Sequence, residues 1–251
     1  MTERGGKELW KPALIGGAAG AGLATILVFG AAVLGLFPSP RDRQFESYLM
    51  SHPSIILAMA EKAQRDQAQS EERALQSAVD KIGLSTYFDP KLAFVTGPAN
   101  AKNSLVEFFD YNCVHCRNSY PVVKKFYDAH RADTRFAFVE FPIFGKDSEK
   151  AARAALAARR QPDKYVAFHF ALMGQDGEIG ASQIADAGRK AGLDLDRLES
   201  DMSDPALDRQ IAVAHALATR TGITGTPFFI VNGKAHEGEI DEAFLKKMTG
   251  A

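Results

Sequence analysis

The 251-residue chain holds only two cysteines, and they stand together as Cys113-Val114-His115-Cys116. Two thiols at positions i and i+3 of a helix start can close a short disulfide within one turn with little rearrangement. The thiolate is the reacting form, and a helix N-terminus favours negative charge. His115 adds potential positive charge beside Cys113, which lowers that thiol's pKa and makes it both an ionised attacker and a good leaving group. Cys116, one turn deeper, is then the resolving thiol. The competing chemistry for such a pair is half a zinc site, which needs two further ligands. The histidines (His52, His115, His130, His169, His215, His236) offer no pair at ligand spacing. Arg117 follows Cys116 and so removes c-type haem attachment. Redox exchange is the chemistry this spacing supports, with no metal and no cofactor implied. His169 and His215 fall in amphipathic helical stretches and read as packing or surface residues.

Other residues bear on the dithiol through the elements that must position them. Residues 105–110 read as a buried aromatic strand that covers the base of the site and leaves exposed the tip of the helix that Cys113 opens, and residues 135–141 as the next strand. Glu107 lies on the first of these, pointing toward the helix base, where a buried carboxylate can shuttle the proton of Cys116. The plainer alternative is a partly exposed strand glutamate paired with a lysine. Thr226-Pro227 precedes the apolar strand at 228–231, and a proline entering a strand after Gly-Thr suits a cis peptide. Placed opposite Cys113, that backbone edge can pair with an extended substrate peptide. Asn232-Gly233 is a strong hairpin turn. A largely helical stretch occupies about residues 147–222, and a last helix about 241–248. The order β-α-β, helices, β-hairpin, α places a helical block inside a small mixed α/β sheet.

Lys plus Arg number 30 and Asp plus Glu 31, a net charge of −1, which excludes a general nucleic-acid binder. Hydrophobic residues at 46% and charged residues at 24% argue against wholesale disorder. A disulfide-stapled scaffold is excluded by the cysteine count. Residues 13–37 carry no charged side chain, a run longer than the roughly 20 residues a spanning helix needs. Basic residues before the run favour a cytoplasmic N-terminus, with the body of the protein on the far side of the membrane. An uncleaved anchor is the first expectation for residues 1–37, and a long cleaved signal the second.

Residues 38–88 turn polar and helix-friendly, with a long helix expected from about Pro53 to Gly83. Apolar residues cluster at Phe45, Tyr48, Leu49, Ile55, Ile56 and Met59, and again at Leu75, Val79 and Ile82, without a sustained heptad seam. The residues leave two readings open: a solvated spacer, or a stalk whose apolar clusters form an oligomerisation surface. Residues 89–251 remain for a domain long enough to bury a sizeable core.

The run Glu-Phe-Phe-Asp-Tyr-Asn-Cys-Val-His-Cys at 107–116, with Gly225-Thr226-Pro227 downstream and a helical block between, resembles the DsbA-type thiol-disulfide oxidoreductases. The resemblance covers roughly residues 89–251 and implies an α/β thioredoxin fold with an inserted helical domain. It implies Cys113 as nucleophile, Cys116 as resolving cysteine, His115 as the pKa-setting residue, Glu107 as the buried acid, and Thr226 and Pro227 as the cis-proline loop. Asp110-Tyr111-Asn112, Phe141-Pro142-Ile143 and the Tyr48-Leu-Met-Ser-His-Pro53 pattern are similar to the ScsC-like (suppressor of copper sensitivity C) branch. That branch implies a periplasmic disulfide isomerase or reductase, trimeric through its N-terminal region and kept reduced by an ScsB-like membrane electron relay. Its substrates would be misfolded or wrongly oxidised secreted proteins. Val114 departs from the proline common at its position, which bears on redox poise. Two alternatives stand beside this one: a membrane-tethered monomeric dithiol oxidase, and a chaperone-type binding protein whose cysteines are incidental.

Overall fold

In the computed structural model the described residues are 39–250. The apolar run at 13–37, read above as an anchor or signal, lies outside them. Among the described residues no helix is long and apolar enough to cross a membrane. The chain divides into two compact units, the first ending at Gln67 and the second Ala68–Ala251.

Helix α1 (Pro40–Ser51) starts where local chemistry directs. Ser39 is its N-cap, Pro40 occupies the first turn, and Ser39 and Asp42 form a reciprocal capping box. Helix α2 (Pro53–Ile82) also begins on a proline. It stops where Gly83 takes φ +84°, a backbone state side-chain-bearing residues rarely adopt. In the first unit the apolar side chains Phe45, Tyr48, Met50, Ile56, Leu57 and Met59 are exposed. The second unit begins at Ala68, within the stretch read from the sequence as stalk. Its portion of α2 presents Leu75, Val79 and Ile82 at helical spacing, and these pack into that unit's core.

The second unit is built on a five-stranded sheet in the order β1-β3-β2-β4-β5. The strands are β1 (Phe94–Thr96), β2 (Asn103–Phe109), β3 (Thr134–Glu140), β4 (Phe228–Val231) and β5 (Lys234–Glu237). β2 runs parallel to β3, through helix α3 (Val114–His130), and antiparallel to β4. Between β3 and β4 come α4 (Lys146–Ala158), α5 (Pro162–Met173), α6 (Ala181–Ala191), α7 (Leu195–Met202) and α8 (Ala206–Thr221). This is the inserted helical block expected at about 147–222. Asn232 (φ 50°) and Gly233 (φ 79°) make the β4–β5 turn, and α9 (Glu242–Thr249) closes the described chain.

Strand periodicity sorts the core into two layers. Leu105 and Phe109 of β2 face one side with Phe136, Phe138, Phe229 and Val231, against α3 and the helical block. Val106 and Phe108 face the other with Ala137, Val139, Phe228 and Ile230, against Val79, Tyr87, Phe88 and α8 residues Ala214, Leu217 and Ala218. Each buried phenylalanine contributes about 2–3 kcal/mol of apolar burial, so this doubly covered sheet is a stiff platform for whatever stands at its end. Glu107 has the parity of Leu105 and Phe109, which puts it in the layer of the dithiol helix.

Candidate active site

β2 ends at Phe109, and four residues later the chain enters α3 with Cys113 as N-cap residue (φ −77°, ψ 119°). Asp110 shapes this connection. Its buried carboxylate accepts from Asn112 N (2.7 Å) and Ser148 Oγ (2.7 Å) on one oxygen, and from Ile143 N (2.7 Å) and Phe144 N on the other. Four donors thus clamp the post-β2 and post-β3 loops together. Asn112 Oδ1 accepts from Ile179 N at 2.7 Å, and Arg117 reaches back to Tyr111 O at 3.0 Å and across to Gly177 O. The helical block is thereby tied to the lead-in of the motif.

Both cysteines are unbridged thiols, and both are buried. The open helix tip expected from the sequence holds for Val114 and His115, but the Cys113 residue is 1% exposed. The Thr226–Pro227 peptide is cis, and the Thr226 carbonyl lies 3.1 Å from Cys113 Sγ, accepting from the thiol. The two thiols are driven apart electrostatically. Cys113 is lowered to about 5, first by hydrogen bonding from the Cys116 side chain, then by the Thr226 side chain and the backbone N–H groups of Cys116 and His115, against the opposing effect of burial. The sulfur stands at the N-cap position, where the first-turn backbone N–H groups favour its ionised form. Cys116 is pushed up, chiefly by burial and then by its bond to Cys113 and the nearby Glu107. One thiol is prepared to ionise and its partner is held protonated.

Glu107 is buried between Phe138 of β3 and Phe229 of β4 in register, with Oε2 lacking any partner. Desolvation raises its carboxyl to about 8. The lysine-paired surface glutamate is excluded; the buried acid is what stands there. His115, with a 63% exposed side chain, turns away from a lone role beside Cys113: its Nδ1 lies 2.6 Å from Glu239 Oε1. That carboxylate holds the imidazole pKa up, and the Cys113 charge adds to it in a smaller measure. His169 is a core residue, its Nδ1 3.0 Å from Tyr111 Oη, and burial lowers it to about 3, so it is neutral. His215 packs against the Phe141 ring.

Thr226, Pro227, Cys113, Cys116, His115 and Glu107 all belong to this one end of the sheet. Sequence reasoning missed Asp110 and Asn112 as loop clamps, although both lie within the quoted lead-in. It also missed Glu239, which has no local signal because it meets His115 from the far end of the chain. Among the described residues no group of three or more His, Cys, Asp or Glu side chains could hold a metal ion.

Residues 104–249 match the family model of the DSBA-like thioredoxin domain. The chain is similar to a thioredoxin-like oxidoreductase from Silicibacter pomeroyi, 40% identical with a TM-score of 0.59, covering 65% of this chain and 93% of that one. It is also similar to Proteus mirabilis ScsC in a compact conformation, 25% identical with a TM-score of 0.57, covering 79% and 98% respectively. Among curated proteins it resembles the Na(+)/H(+) antiporter NhaA 3 of Salinispora tropica, 27% identical over 210 residues, 82% of this chain but 30% of the antiporter. The chain thus spans about a third or less of the length of the antiporters that lead this comparison. With the family model covering more than half of the residues, the chain belongs to the DSBA-like thioredoxin-domain family.

Proposed function

We propose that this protein is an extracytoplasmic thiol-disulfide oxidoreductase that works as a disulfide isomerase or reductase. The observation that carries the chemistry is the asymmetry of the two thiols. Cys113, lowered to about 5, is a thiolate at neutral pH, and Cys116 stays protonated. In the forward step the Cys113 thiolate attacks one sulfur of a substrate disulfide, forming a mixed disulfide and expelling the other sulfur as thiolate, which takes a proton from solvent. Isomerisation is completed when a different substrate thiolate attacks the mixed disulfide and returns Cys113 to the thiolate. Reduction is completed when Cys116 attacks instead, closing Cys113–Cys116 and releasing the second substrate thiol. Cys116 must lose its proton for that step. Glu107, raised to about 8, exchanges protons around neutral pH and is the group we assign to accept it. The Thr226 carbonyl beside Cys113, with Pro227, offers a backbone edge for the substrate chain.

The isomerase direction and the oligomer, a homotrimer in this reading, rest on the first unit. Phe45, Tyr48, Met50, Leu57 and Met59 are exposed apolar side chains on short spacing, and association would bury them. Misfolded or wrongly oxidised secreted proteins are the proposed substrates, and a membrane thiol relay of the ScsB kind the proposed reductant. A periplasmic location, with residues 13–37 as tether, completes the reading. Ion transport is not carried over from the antiporters, since the shared part is a minority of their length.

The test is reactivation of a scrambled multi-disulfide substrate in glutathione buffer by the wild type, Cys113→Ser, and the triple variant Phe45→Ser, Leu57→Ser, Met59→Ser. The isomerase reading requires activity in the wild type, loss in Cys113→Ser, and a large loss with a smaller sedimentation coefficient in the triple variant. Oxidation of a reduced peptide by both wild type and triple variant, without reactivation, would make the protein a monomeric dithiol oxidase. Aggregation suppression that survives Cys113→Ser with no exchange activity would make it a chaperone-type binder.

A further inference from the structure

The carboxylate that meets His115 comes from Glu239, on the loop between β5 and α9, more than a hundred residues along the chain. The loop is anchored on both sides of it. The Glu239 carbonyl lies 2.9 Å from His236 Nε2 on β5. Ile240 is buried, and its N–H donates to Ser119 Oγ of α3 at 3.3 Å. Asp241 caps α9 through Phe244 N at 2.7 Å. The Glu239 oxygen that meets His115 also accepts from Asn118 Nδ2 at 2.8 Å. A side chain that stands on an anchored loop and is held by two consecutive turns of the active-site helix is placed, not incidental.

We propose that Glu239 is a positioning residue of the dithiol site, fixing the His115 ring at the first turn of α3 and holding its charge beside the Cys113 thiolate. The inference rests on the reading of Cys113–Cys116 as an exchanging dithiol. The groups around His115 are few. Cys113 shares its helix, Glu239 comes from the loop, His236 holds that loop, and Glu237 on β5 has its carboxylate by Gly225.

The consequence is a linkage between His115 and redox state. When the protein disulfide takes two electrons from two glutathione thiols, glutathione disulfide forms. One of the two protons stays on Cys116, and the other is released because Cys113 remains a thiolate. A cationic His115 favours that thiolate and has no such partner in the disulfide form. Deprotonating His115 therefore pulls the equilibrium back toward the protein disulfide. With Glu239 present this loss is moved to higher pH. Without it the loss falls near the ordinary imidazole value of about 6.5, inside the working range.

The test uses the full chain as wild type, Glu239→Gln, His115→Gln and the double variant. The His115 ring proton is followed by NMR against pH, and the glutathione equilibrium is measured from pH 6 to 8. In Glu239→Gln the His115 midpoint should fall toward 6.5. The equilibrium, corrected for the one released proton, should drift by an extra roughly two- to fivefold across that range, as expected for an exposed charge pair. The drift should vanish in the double variant, and the midpoint of His236 reads separately in the same spectrum. An unchanged His115 midpoint in Glu239→Gln, or a drift that persists without His115, overturns the proposal. A wild type that does not exchange with glutathione at all brings down the dithiol reading, while the NMR midpoint still decides whether Glu239 holds His115.

Discussion

The two units of the chain treat apolar side chains in opposite ways. In the second unit, Leu105, Phe108, Phe109, Phe136 and Phe138 are wholly buried on the two faces of one sheet. In the first, Phe45 is 63% exposed and Leu57 64%. A domain that can bury its own apolar surface needs no partner to be stable, whereas a helix that cannot bury its own gains from one. The contrast separates the dithiol chemistry of the second unit from the exposed apolar surface of the first. Among the described residues, the partners of the two thiols named above, Thr226, His115 and Glu107, belong to the second unit.

The sharpest break of that contrast is Cys113→Ser, which should abolish thiol exchange by at least three orders of magnitude while leaving the thermal midpoint of the reduced protein within a few degrees. Loss of folding alongside activity would show that the thiol is structural. Next in size is Phe108→Ala, expected to cost about 3–5 kcal/mol in denaturant unfolding through lost burial and a residual cavity. Leu57→Ala should change unfolding of the dissociated chain by no more than about 0.5 kcal/mol. It should weaken self-association in sedimentation velocity if the first unit is the assembly surface. Equal costs for the two would erase the distinction between the units.

Glu107 supplies a pH signature of the second unit alone. Its carboxyl is raised from 4.5 to about 8 by burial, so the unfolded state releases its proton first as pH rises. The stability associated with the neutral buried acid is full below about 4.5 and is lost progressively as pH climbs to 8. Glu107→Gln should remove that decline in a urea series from pH 5 to 8, and should also slow closure of the Cys113–Cys116 bond. A parallel decline in both proteins would assign it to other groups. The smallest effect is spectroscopic: thiolate absorbance of the reduced protein should titrate near pH 5 from one cysteine only. A single midpoint above 8 would remove the basis for Cys113 as the attacking group.

Much of the fold is legible in short-range sequence signals. The dithiol spacing, the apolar runs of β2 and β3, the Asn232-Gly233 turn and the Pro53 and Gly83 helix boundaries are all of this kind, and each element stands within a residue or two of its expected place. β1 escapes because three residues are too short for alternation to register. Helices α6 and α7 show only as part of the helical stretch expected at about 147–222, without boundaries of their own. Burial of Cys113 also runs against expectation, since a helix tip is open unless a distant loop covers it, and the Thr226 segment lies against this sulfur.

The sequence by itself determined the reactive groups: two thiols one helical turn apart, a carboxyl on the strand behind them, and a Gly-Thr-Pro entering a strand. Those are properties of neighbours along the chain, set by backbone geometry over a few residues. Only the tertiary structure decided how those groups behave. Glu107 became an acid near 8 because two phenylalanine strands exclude water from it. Cys113 met the Thr226 carbonyl, and His115 met Glu239, because the sheet order carries the C-terminal segments back beside β2 and α3. Desolvation and long-range charge pairing depend on which distant residues arrive, and spacing along the chain carries no record of that.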